Sequence, residues 1–323
     1  MSLSERIIFY LAIVALFVIF IYQTNNCCSE VYSKLIGLKY KQQLGVKGAG
    51  DGEFMFPHSL AVDHFGNIYV GDTGNKRVQK FSSNESFLTT WGSEGTNDGQ
   101  FLSLHDVAVD PEGKFVYTVE LKNHRVQKFY PNDTFVSKWG YNGTGGRDIL
   151  RAPHQIAINS KGITYLTDSD GNQILRFHAN GRFIQAMGSK GNGPGQFDGP
   201  HGIAIDSHDN IYFTDMKNSR VQVFNNNDTF VREWGSLGNG TGQFSETAPG
   251  IAVDNDNHIF VVDKINSRVQ MFDTKGNYLA GWGSFGNGPE QLNKPEDIAV
   301  DDNGGIYISD TRNSRIQILE LVD

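Results

Sequence analysis

An internal repeat of 47 or 48 residues runs from residue 40 to the end of this 323-residue chain and limits the architectures open to it. One recurring position is the first residue of a short β-prone run, and its successive occurrences are 48, 48, 47, 48 and 47 residues apart: Arg77, Arg125, Gln173, Arg220, Arg268 and Arg315. A second recurring position precedes a glycine turn, and its successive occurrences are 47, 48, 48, 47 and 48 residues apart: Leu44, Trp91, Trp139, Met187, Trp234 and Trp282. Because both positions agree, the chain contains six structural units.

Each unit holds four short runs of β-branched and aromatic residues, separated by Gly, Asn and Asp turns. In the first unit these runs are residues 59–63, 67–71, 77–81 and 87–91. Four antiparallel strands per unit, with a period in the forties, are typical of a propeller blade. No helical segment long enough for a parallel crossover intervenes, which disfavours an α/β barrel. We therefore predict an all-β fold, a six-bladed β-propeller with four-stranded blades over residues 40–323.

The two ends of the repeat region predict how the ring closes. Residues 40–54 match residues 87–101 in length and pattern, so they begin with an outer fourth strand that lacks the rest of its blade. The last unit stops at Asp323 after its third strand. We expect the strand at 40–45 to complete the sixth blade, because this pairing removes open sheet edges. Trimming residues 40–46 should then destabilise the ring.

The N-terminus carries 16 uninterrupted apolar or aromatic positions at residues 7–22. This run approaches the length of about 20 residues that spans a bilayer, and no small-residue cleavage site follows it. It predicts an uncleaved signal anchor: a transmembrane helix at 1–24, a linker at 25–39 and a single-pass membrane protein with an extracytoplasmic propeller. A buried core helix is the alternative.

Two further features near and beyond the apolar run bear on a membrane location. Cys27 and Cys28 could be acylated, bridge two anchored chains or be inert. An extracytoplasmic propeller could be a glycoprotein, because the chain contains five Asn-x-Ser/Thr sequons. Their asparagines are Asn84, Asn132, Asn142, Asn227 and Asn239. Three of the sequons occupy the same repeat turn, where asparagine also serves as a turn residue.

Residues 200–224 contain Pro-His-Gly-Ile-Ala-Ile-Asp, then Asn-Ile-Tyr-Phe-Thr-Asp, then Asn-Ser-Arg-Val-Gln-Val-Phe. This string and its five siblings resemble the NHL repeat from about residue 40 to the end of the chain. The resemblance implies a six-bladed β-propeller and leaves several activities open, since such propellers include protein-binding and RNA-binding modules and related lyases and lactonases. The net charge of −8, with +3 on residues 1–50 and −11 on the remainder, disfavours nucleic acid as a partner.

A recurring acid and arginine lie five residues apart across the turn between the second and third strands. The pairs are Asp72 and Arg77, Glu120 and Arg125, Asp215 and Arg220, Asp263 and Arg268, and Asp310 and Arg315. In the third unit the pattern changes to Asp168 and Gln173. An arginine can satisfy a carboxylate and loop carbonyls together, so we interpret these pairs as structural braces of the turn.

Four of the nine histidines share one repeat position, immediately before the innermost strand: His58, His105, His154 and His201. Pro249 and Glu296 occupy this position in the fifth and sixth units. Inner strands line the channel of a propeller, so these side chains should converge at one mouth of it. Taken from alternate blades, His105, His201 and Glu296 form a triangle of ligand-type side chains that suits a zinc-like ion with an open coordination position. The alternatives are a mixed set with His58 or His154, and a wet channel without a ligand.

Segments such as Pro57-His58-Ser-Leu and Pro200-His201-Gly-Ile are similar to the metal-binding segments of the peptidylglycine alpha-amidating lyase, a related propeller. This resemblance implies zinc or another divalent metal. The tyrosine and arginine that the lyase uses after the second-strand aspartate are absent, and the residues here are Thr73, Leu121, Ser169, Met216, Lys264 and Thr311. The lyase's third metal histidine would fall at Pro249.

Two functional hypotheses follow from these patterns. The first is a membrane-anchored binding module that presents one propeller face to a protein, peptide or glycan, with a divalent metal at the channel mouth. The second is a metal-dependent lyase or hydrolase centred on the channel. The sequence assigns no catalytic residue, and it favours the binding module over the enzyme.

Overall fold

The computed structural model describes residues 37–140 and 150–322. The apolar run at 7–22, most of the linker, Cys27, Cys28 and the sequon at Asn142 lie outside the described residues. Within the described ranges, no helix combines the length and the apolar composition needed to cross a bilayer.

The described chain forms six four-stranded antiparallel sheets, one per repeat. Blade 1 contains Pro57–Val62, Ile68–Asp72, Arg77–Phe81 and Phe87–Trp91. Blade 2 contains Leu104–Val109, Val116–Glu120, Arg125–Phe129 and Phe135–Gly140. Blade 3 contains Pro153–Ile158, Thr164–Asp168, Gln173–Phe177 and Phe183–Met187. In each of these blades, the strands pair in chain order from the innermost to the outermost.

The remaining blades repeat this arrangement. Blade 4 contains Pro200–Ile205, Ile211–Asp215, Arg220–Phe224 and Phe230–Trp234. Blade 5 contains Ile251–Val253, Ile259–Asp263, Arg268–Phe272 and Tyr278–Trp282. Blade 6 contains Ile298–Val300, Gly305–Asp310, Arg315–Val322 and, from the start of the described chain, Gly37–Leu44. The all-β six-bladed propeller predicted from the sequence is confirmed.

Short elements complete the turns between strands and between blades. Two parallel pairs join Val46–Lys47 to Glu53–Phe54 and Ser284–Phe285 to Gln291–Leu292. Single 3-10 turns at Thr73–Asn75, Met216–Asn218 and Thr311–Asn313 follow the second strands of blades 1, 4 and 6. The repeated sequence therefore builds similar connections around the ring.

The first described strand closes the ring on the last one. Gly37–Leu44 pairs antiparallel with Arg315–Val322, from Gly37 opposite Val322 to Leu44 opposite Ile316, with an irregularity after Tyr40. The predicted closure of the sixth blade is thus confirmed. The strand begins at Gly37 instead of residue 40, because the third strand of blade 6 continues to Val322 and offers partners that far.

The hydrophobic cores lie between neighbouring blades. One cluster joins Tyr69 and Val78 of blade 1 to Val107 and Phe129 of blade 2, and all four side chains are at most 1% exposed. Similar clusters join blade 2 to 3, 3 to 4, 4 to 5 and 6 to 1. Because apolar burial is the main driving force of folding, each blade depends on its neighbours for stability.

The acid and arginine pairs meet in five blades, as the turn-brace interpretation expects. In blade 6 the Arg315 Nε donates to Asp310 Oδ2 at 2.8 Å, and its Nη2 donates to the carbonyls of Gly288 and Gln291 at 2.7 and 2.9 Å. The equivalent pairs are Arg77 with Asp72, Arg125 with Glu120, Arg220 with Asp215 and Arg268 with Asp263. In blade 3, Gln173 Nε2 lies 3.4 Å from Asp168 Oδ2. Each arginine thus ties the turn of its blade to the loop that enters the blade.

Replacing Arg315 with alanine is expected to lower the free energy of unfolding by about 3 kcal/mol, because it leaves the buried Asp310 carboxylate without its charged partner. Urea denaturation measures this change. Lys138→Ala is the matched control, since the Lys138–Asp98 ion pair is about half exposed and should contribute less than about 1 kcal/mol. Equal losses in the two variants would contradict the turn-brace interpretation.

Candidate metal centre at the channel mouth

The innermost strands place four histidines at one end of the channel. Each is the second residue of its strand in blades 1 to 4, and in three of them it follows a proline. A proline is tolerated at the first residue of an edge strand. The first strands of neighbouring blades contact one another around the axis, so the four side chains converge.

The four imidazole rings form an arc across adjacent blades. The ring centroids lie 4.0 Å apart for His58 and His105, 4.3 Å for His105 and His154, and 4.1 Å for His154 and His201. Three of them, His105, His154 and His201, each present a ring nitrogen within 4.8 Å of the other two. This separation is compatible with three ligands converging on one ion.

The predicted triangle of His105, His201 and Glu296 differs from the set that the structure brings together. The Glu296 carboxylate contacts Lys264 Nζ, and its other oxygen lies 3.8 Å from His58 Nε2. The innermost strand of blade 6 begins only at Ile298, so Glu296 belongs to the preceding loop and turns toward blade 5. The third side chain close to His105 and His201 is therefore His154 and not Glu296. His58 packs on His105 beside these three histidines.

Hydrogen bonds define the tautomers of two of the rings. His201 Nδ1 lies 3.2 Å from the Pro249 carbonyl, and His58 Nδ1 lies 3.0 Å from the His105 carbonyl. A carbonyl only accepts, so Nδ1 carries the proton and Nε2 of the neutral ring keeps a free lone pair. A backbone carbonyl holding the second ring N–H is the usual arrangement of a metal-binding histidine.

Two other ring nitrogens lack partners. The Nδ1 atoms of His105 and His154 are buried and form no hydrogen bond with any described residue. Buried polar atoms in native proteins are usually hydrogen-bonded, so two such nitrogen atoms without a partner in one cluster indicate a bound ligand or a water molecule. Together with the His201 tautomer, this donor set fits a divalent ion.

Burial keeps these rings neutral. It lowers the pKa of His201 and of His105 well below the usual value, and neighbouring imidazoles and Lys264 add to the effect. Burial, His58 and Lys264 lower the pKa of His154 to about 3. Burial also lowers the pKa of His58, although the nearby Glu296 opposes this. Neutral imidazole is the form that binds metal, so the cluster is ready for an ion at neutral pH.

A second polar layer, formed by Asp106, Gln155 and Asp297, lines the channel next to the histidines. Asp297 Oδ2 accepts from the Leu60 N–H at 3.0 Å and its Oδ1 accepts from Gln155 Nε2 at 2.7 Å, while Asp106 accepts from the Ile156 N–H at 2.9 Å. Burial raises the pKa of Asp297 to about 6 and, with the charge of Asp297, raises that of Asp106 well above its usual range. Sequence reasoning missed this layer, although an acid directly before Val107-Ala-Val and before Ile298-Ala-Val was a visible signal.

The buried histidines should make the fold sensitive to acid. Their folded-state pKa values lie below the unfolded value near 6.5, so below pH 6.5 the unfolded chain binds protons that the folded chain cannot. The contribution of these histidines to the unfolding free energy is therefore fully present above pH 6.5. It is lost as the pH decreases below 6.5, by up to about 1.4 kcal/mol per pH unit for each histidine. Asp297, with its raised pKa, partly opposes this trend between about pH 4 and 6.

His154→Gln is expected to reduce the pH slope of the unfolding free energy between pH 6.5 and 5. Urea denaturation at several pH values, with a chelator present, measures the slope. His208→Gln changes an exposed histidine outside the cluster and should leave the slope unaltered. Identical slopes in both variants and the wild type would contradict a buried neutral His154.

Comparisons with known proteins agree with this architecture. The NHL-repeat model matches residues 54–81 and 292–319, and a model described as a 6-bladed beta-propeller matches residues 147–234. The NHL repeat-containing protein 3 of Homo sapiens and that of Mus musculus are each 30% identical over 78 residues, which is 24% of this chain. The match spans only 21% of the length of these relatives.

Solved structures share the fold at low sequence identity. A virginiamycin B lyase of Staphylococcus aureus is 15% identical with a TM-score of 0.60, over 89% of this chain and 100% of the lyase. A gluconolactonase of Xanthomonas campestris is 13% identical with a TM-score of 0.60, over 89% of this chain and 97% of the enzyme. At such identities the likeness establishes the fold alone. Residues 54–81 and 292–319 thus match NHL repeats, and the chain folds as a six-bladed β-propeller.

Proposed function

We propose that this propeller is a binding module whose ligand is held at the channel mouth by a divalent metal ion on His105, His154 and His201. One observation carries the proposal: three imidazoles on adjacent strands, of which that of His201 is buried, present ring nitrogens within 4.8 Å of one another. The orphaned Nδ1 atoms of His105 and His154 support it further.

Zinc suits this donor set best. Three histidine ligands with a fourth position left open are a known zinc arrangement, and the open position lets the ion bind a donor atom of a ligand as a Lewis acid. The chain's own groups hold the site in shape, because the Pro249 carbonyl orients His201 and the surrounding blades bury its ring. The ligand itself would be a protein, peptide or glycan that reaches this mouth.

A metal-dependent lyase or hydrolase is the second candidate, and one local observation favours it. His58 Nε2 and Lys264 Nζ flank the Glu296 carboxylate beside the three histidines, so groups able to move protons lie next to the proposed ion. Acid release from a panel of lactones at constant pH tests this candidate. Turnover that needs zinc and falls in Glu296→Gln would support it, whereas equal turnover without metal would contradict it.

We further propose that residues 7–22 anchor the chain in a membrane with the propeller outside the cytoplasm, where its sequons can be glycosylated. The support is the 16-residue apolar run, which no charge interrupts. Protease digestion of intact cells should cleave the propeller in this topology. Complete protection would reverse the proposed orientation.

Elemental analysis tests the metal directly. The full-length chain, expressed with zinc supplied and purified without chelator, is expected to retain about one zinc ion per chain. His208→Ala is the matched control and should retain the same amount, because His208 is exposed and lies outside the cluster. Metal below a tenth of an equivalent in the wild-type protein would contradict both the metal site and the enzymatic alternative.

A further inference from the structure

On the face opposite the histidines, four neighbouring grooves between blades each contain a basic side chain from the preceding blade. Lys80 Nζ donates to the Pro131 carbonyl at 3.3 Å, and Lys128 Nζ donates to the Ala179 carbonyl at 3.2 Å. Arg176 pairs with Asp228, and Arg232 Nη1 donates to the Thr274 carbonyl at 2.6 Å. A cation therefore fills the groove between each of these pairs of blades.

The groove between blades 3 and 4 shows what such a cation contacts. The Arg176 guanidinium carbon lies 5.1 Å from the centroid of the Tyr165 ring, and its Nη1 contacts the Asp228 carboxylate. Tyr165 also donates its hydroxyl proton to Asp228 Oδ1 at 3.3 Å. An aromatic ring and a carboxylate together form a strong guanidinium site.

The groove between blades 6 and 1 keeps the ring and the acid without the arginine. Tyr307 stands at the repeat position of Tyr165, and Glu85 stands at that of Asp228. The position of Arg176 is taken by Ile318, which is only 1% exposed. Tyr307 donates to Asp301 Oδ2 at 2.9 Å, so a second carboxylate borders the ring. The aromatic ring and the carboxylate of the guanidinium site are therefore present, whereas the basic side chain is replaced by Ile318.

The cavity volumes follow the same division. The cavity beside Tyr307, lined by blades 6 and 1 and by residues 254–256 of blade 5, has a volume of about 590 Å³, whereas the cavities beside Lys128 and Arg232 have volumes of about 310 and 260 Å³. Further acids line the larger cavity: Asp254, Asp256, Asp302 and Glu320. Lys41 is the one basic residue that lines it, and of these acids Glu320 pairs with Lys39 Nζ at 3.2 Å.

We propose that this groove binds the guanidinium group of an arginine side chain from a partner protein, seated between the Tyr307 ring and the Glu85 carboxylate. The site goes beyond the metal proposal and lies on the opposite face of the propeller. Charge complementarity and the intramolecular example of Arg176 identify the ligand. A bare metal ion would make no use of the ring, and the planar guanidinium pairs with a carboxylate better than an ammonium does.

Peptide binding to the full-length chain in mild detergent tests the proposal. The probe is a fluorescent blocked peptide, Gly-Gly-Arg-Gly-Gly, and the control peptide carries citrulline, which keeps the shape and loses the charge. We expect the arginine peptide to bind at least tenfold more tightly than the citrulline peptide by fluorescence anisotropy. Glu85→Gln should weaken its binding at least tenfold.

Two variants separate this site from general attraction to an acidic surface. Ile318→Arg supplies the missing guanidinium from within the chain and should abolish peptide binding, as Arg176 fills its own groove. Asp133→Asn alters the repeat position of Glu85 in blade 2, where Lys80 fills the groove, and should leave binding unchanged. Circular dichroism confirms that each variant folds.

Several results would overturn the proposal. They are equal binding of the arginine and citrulline peptides, unchanged binding in the folded Ile318→Arg variant, and equal binding of a lysine peptide. Displacement of the arginine peptide by 1 mM calcium at constant ionic strength would instead assign the groove to a metal ion. Unchanged binding in Glu85→Gln would also exclude the proposed contact.

Discussion

Replacing His201 with alanine is expected to lower the affinity of the chain for zinc about a thousandfold. Zinc sites with four protein ligands bind with roughly 10–16 kcal/mol, so one ligand contributes on the order of 4 kcal/mol. His201 is 5% exposed and its Nδ1–H is held by the Pro249 carbonyl, so the ring is fixed with the Nε2 lone pair available to an ion. Competition with a chromophoric chelator at pH 7 measures the dissociation constant.

The same titration distinguishes the three histidines that the structure brings together from the triangle predicted by the sequence. If His105, His154 and His201 hold the ion, His154→Ala should match the loss in His201→Ala, and Glu296→Ala should change the affinity by less than about tenfold. If Glu296 is a ligand instead of His154, Glu296→Ala should match the loss in His201→Ala, and His154→Ala should change the affinity by less than about tenfold. His58→Ala is the control for lost imidazole packing, because His58 contacts His105 without belonging to the set.

The sequence was sufficient to predict the ring and the repeat position of the histidines, but not which side chains of this position lie closest together. A repeat fixes which residues share a height along the channel, because each blade copies the same strand register. It does not fix how far each side chain reaches toward the axis. Glu296 precedes its shortened strand and is drawn to Lys264, a partner from blade 5 that only the folded structure brings close.

The polar layer of Asp106, Asp297 and Gln155 escaped prediction for a related reason. Each residue is a polar position within or next to an apolar innermost strand, and only the closed ring shows that the three meet across the channel. Likewise, the groove beside Tyr307 becomes visible only when six equivalent positions are compared in space. Departures from the repeat consensus therefore mark the places where this propeller differs chemically from blade to blade.

Removing residues 37–44 is expected to unfold the ring or reduce its stability by more than about 5 kcal/mol. The segment pairs with Arg315–Val322 along its whole length, and Gln43 Oε1 accepts a hydrogen bond from Arg315 Nη1 at 3.0 Å. Leu44 also packs in the core between blades 6 and 1, where loss of a leucine side chain alone costs about 2–5 kcal/mol. These losses approach the total stability of a typical domain, about 5–15 kcal/mol.

The comparison uses two truncated chains, one beginning at Gly37 and one at Gly45. The longer chain keeps the closing strand and should show one cooperative thermal transition by circular dichroism. The shorter chain exposes the edge of Arg315–Val322, so it should melt at a much lower temperature and self-associate in sedimentation experiments. A monomeric shorter chain with the melting temperature of the longer one would mean that blades 1 to 5 and three strands of blade 6 suffice for the ring.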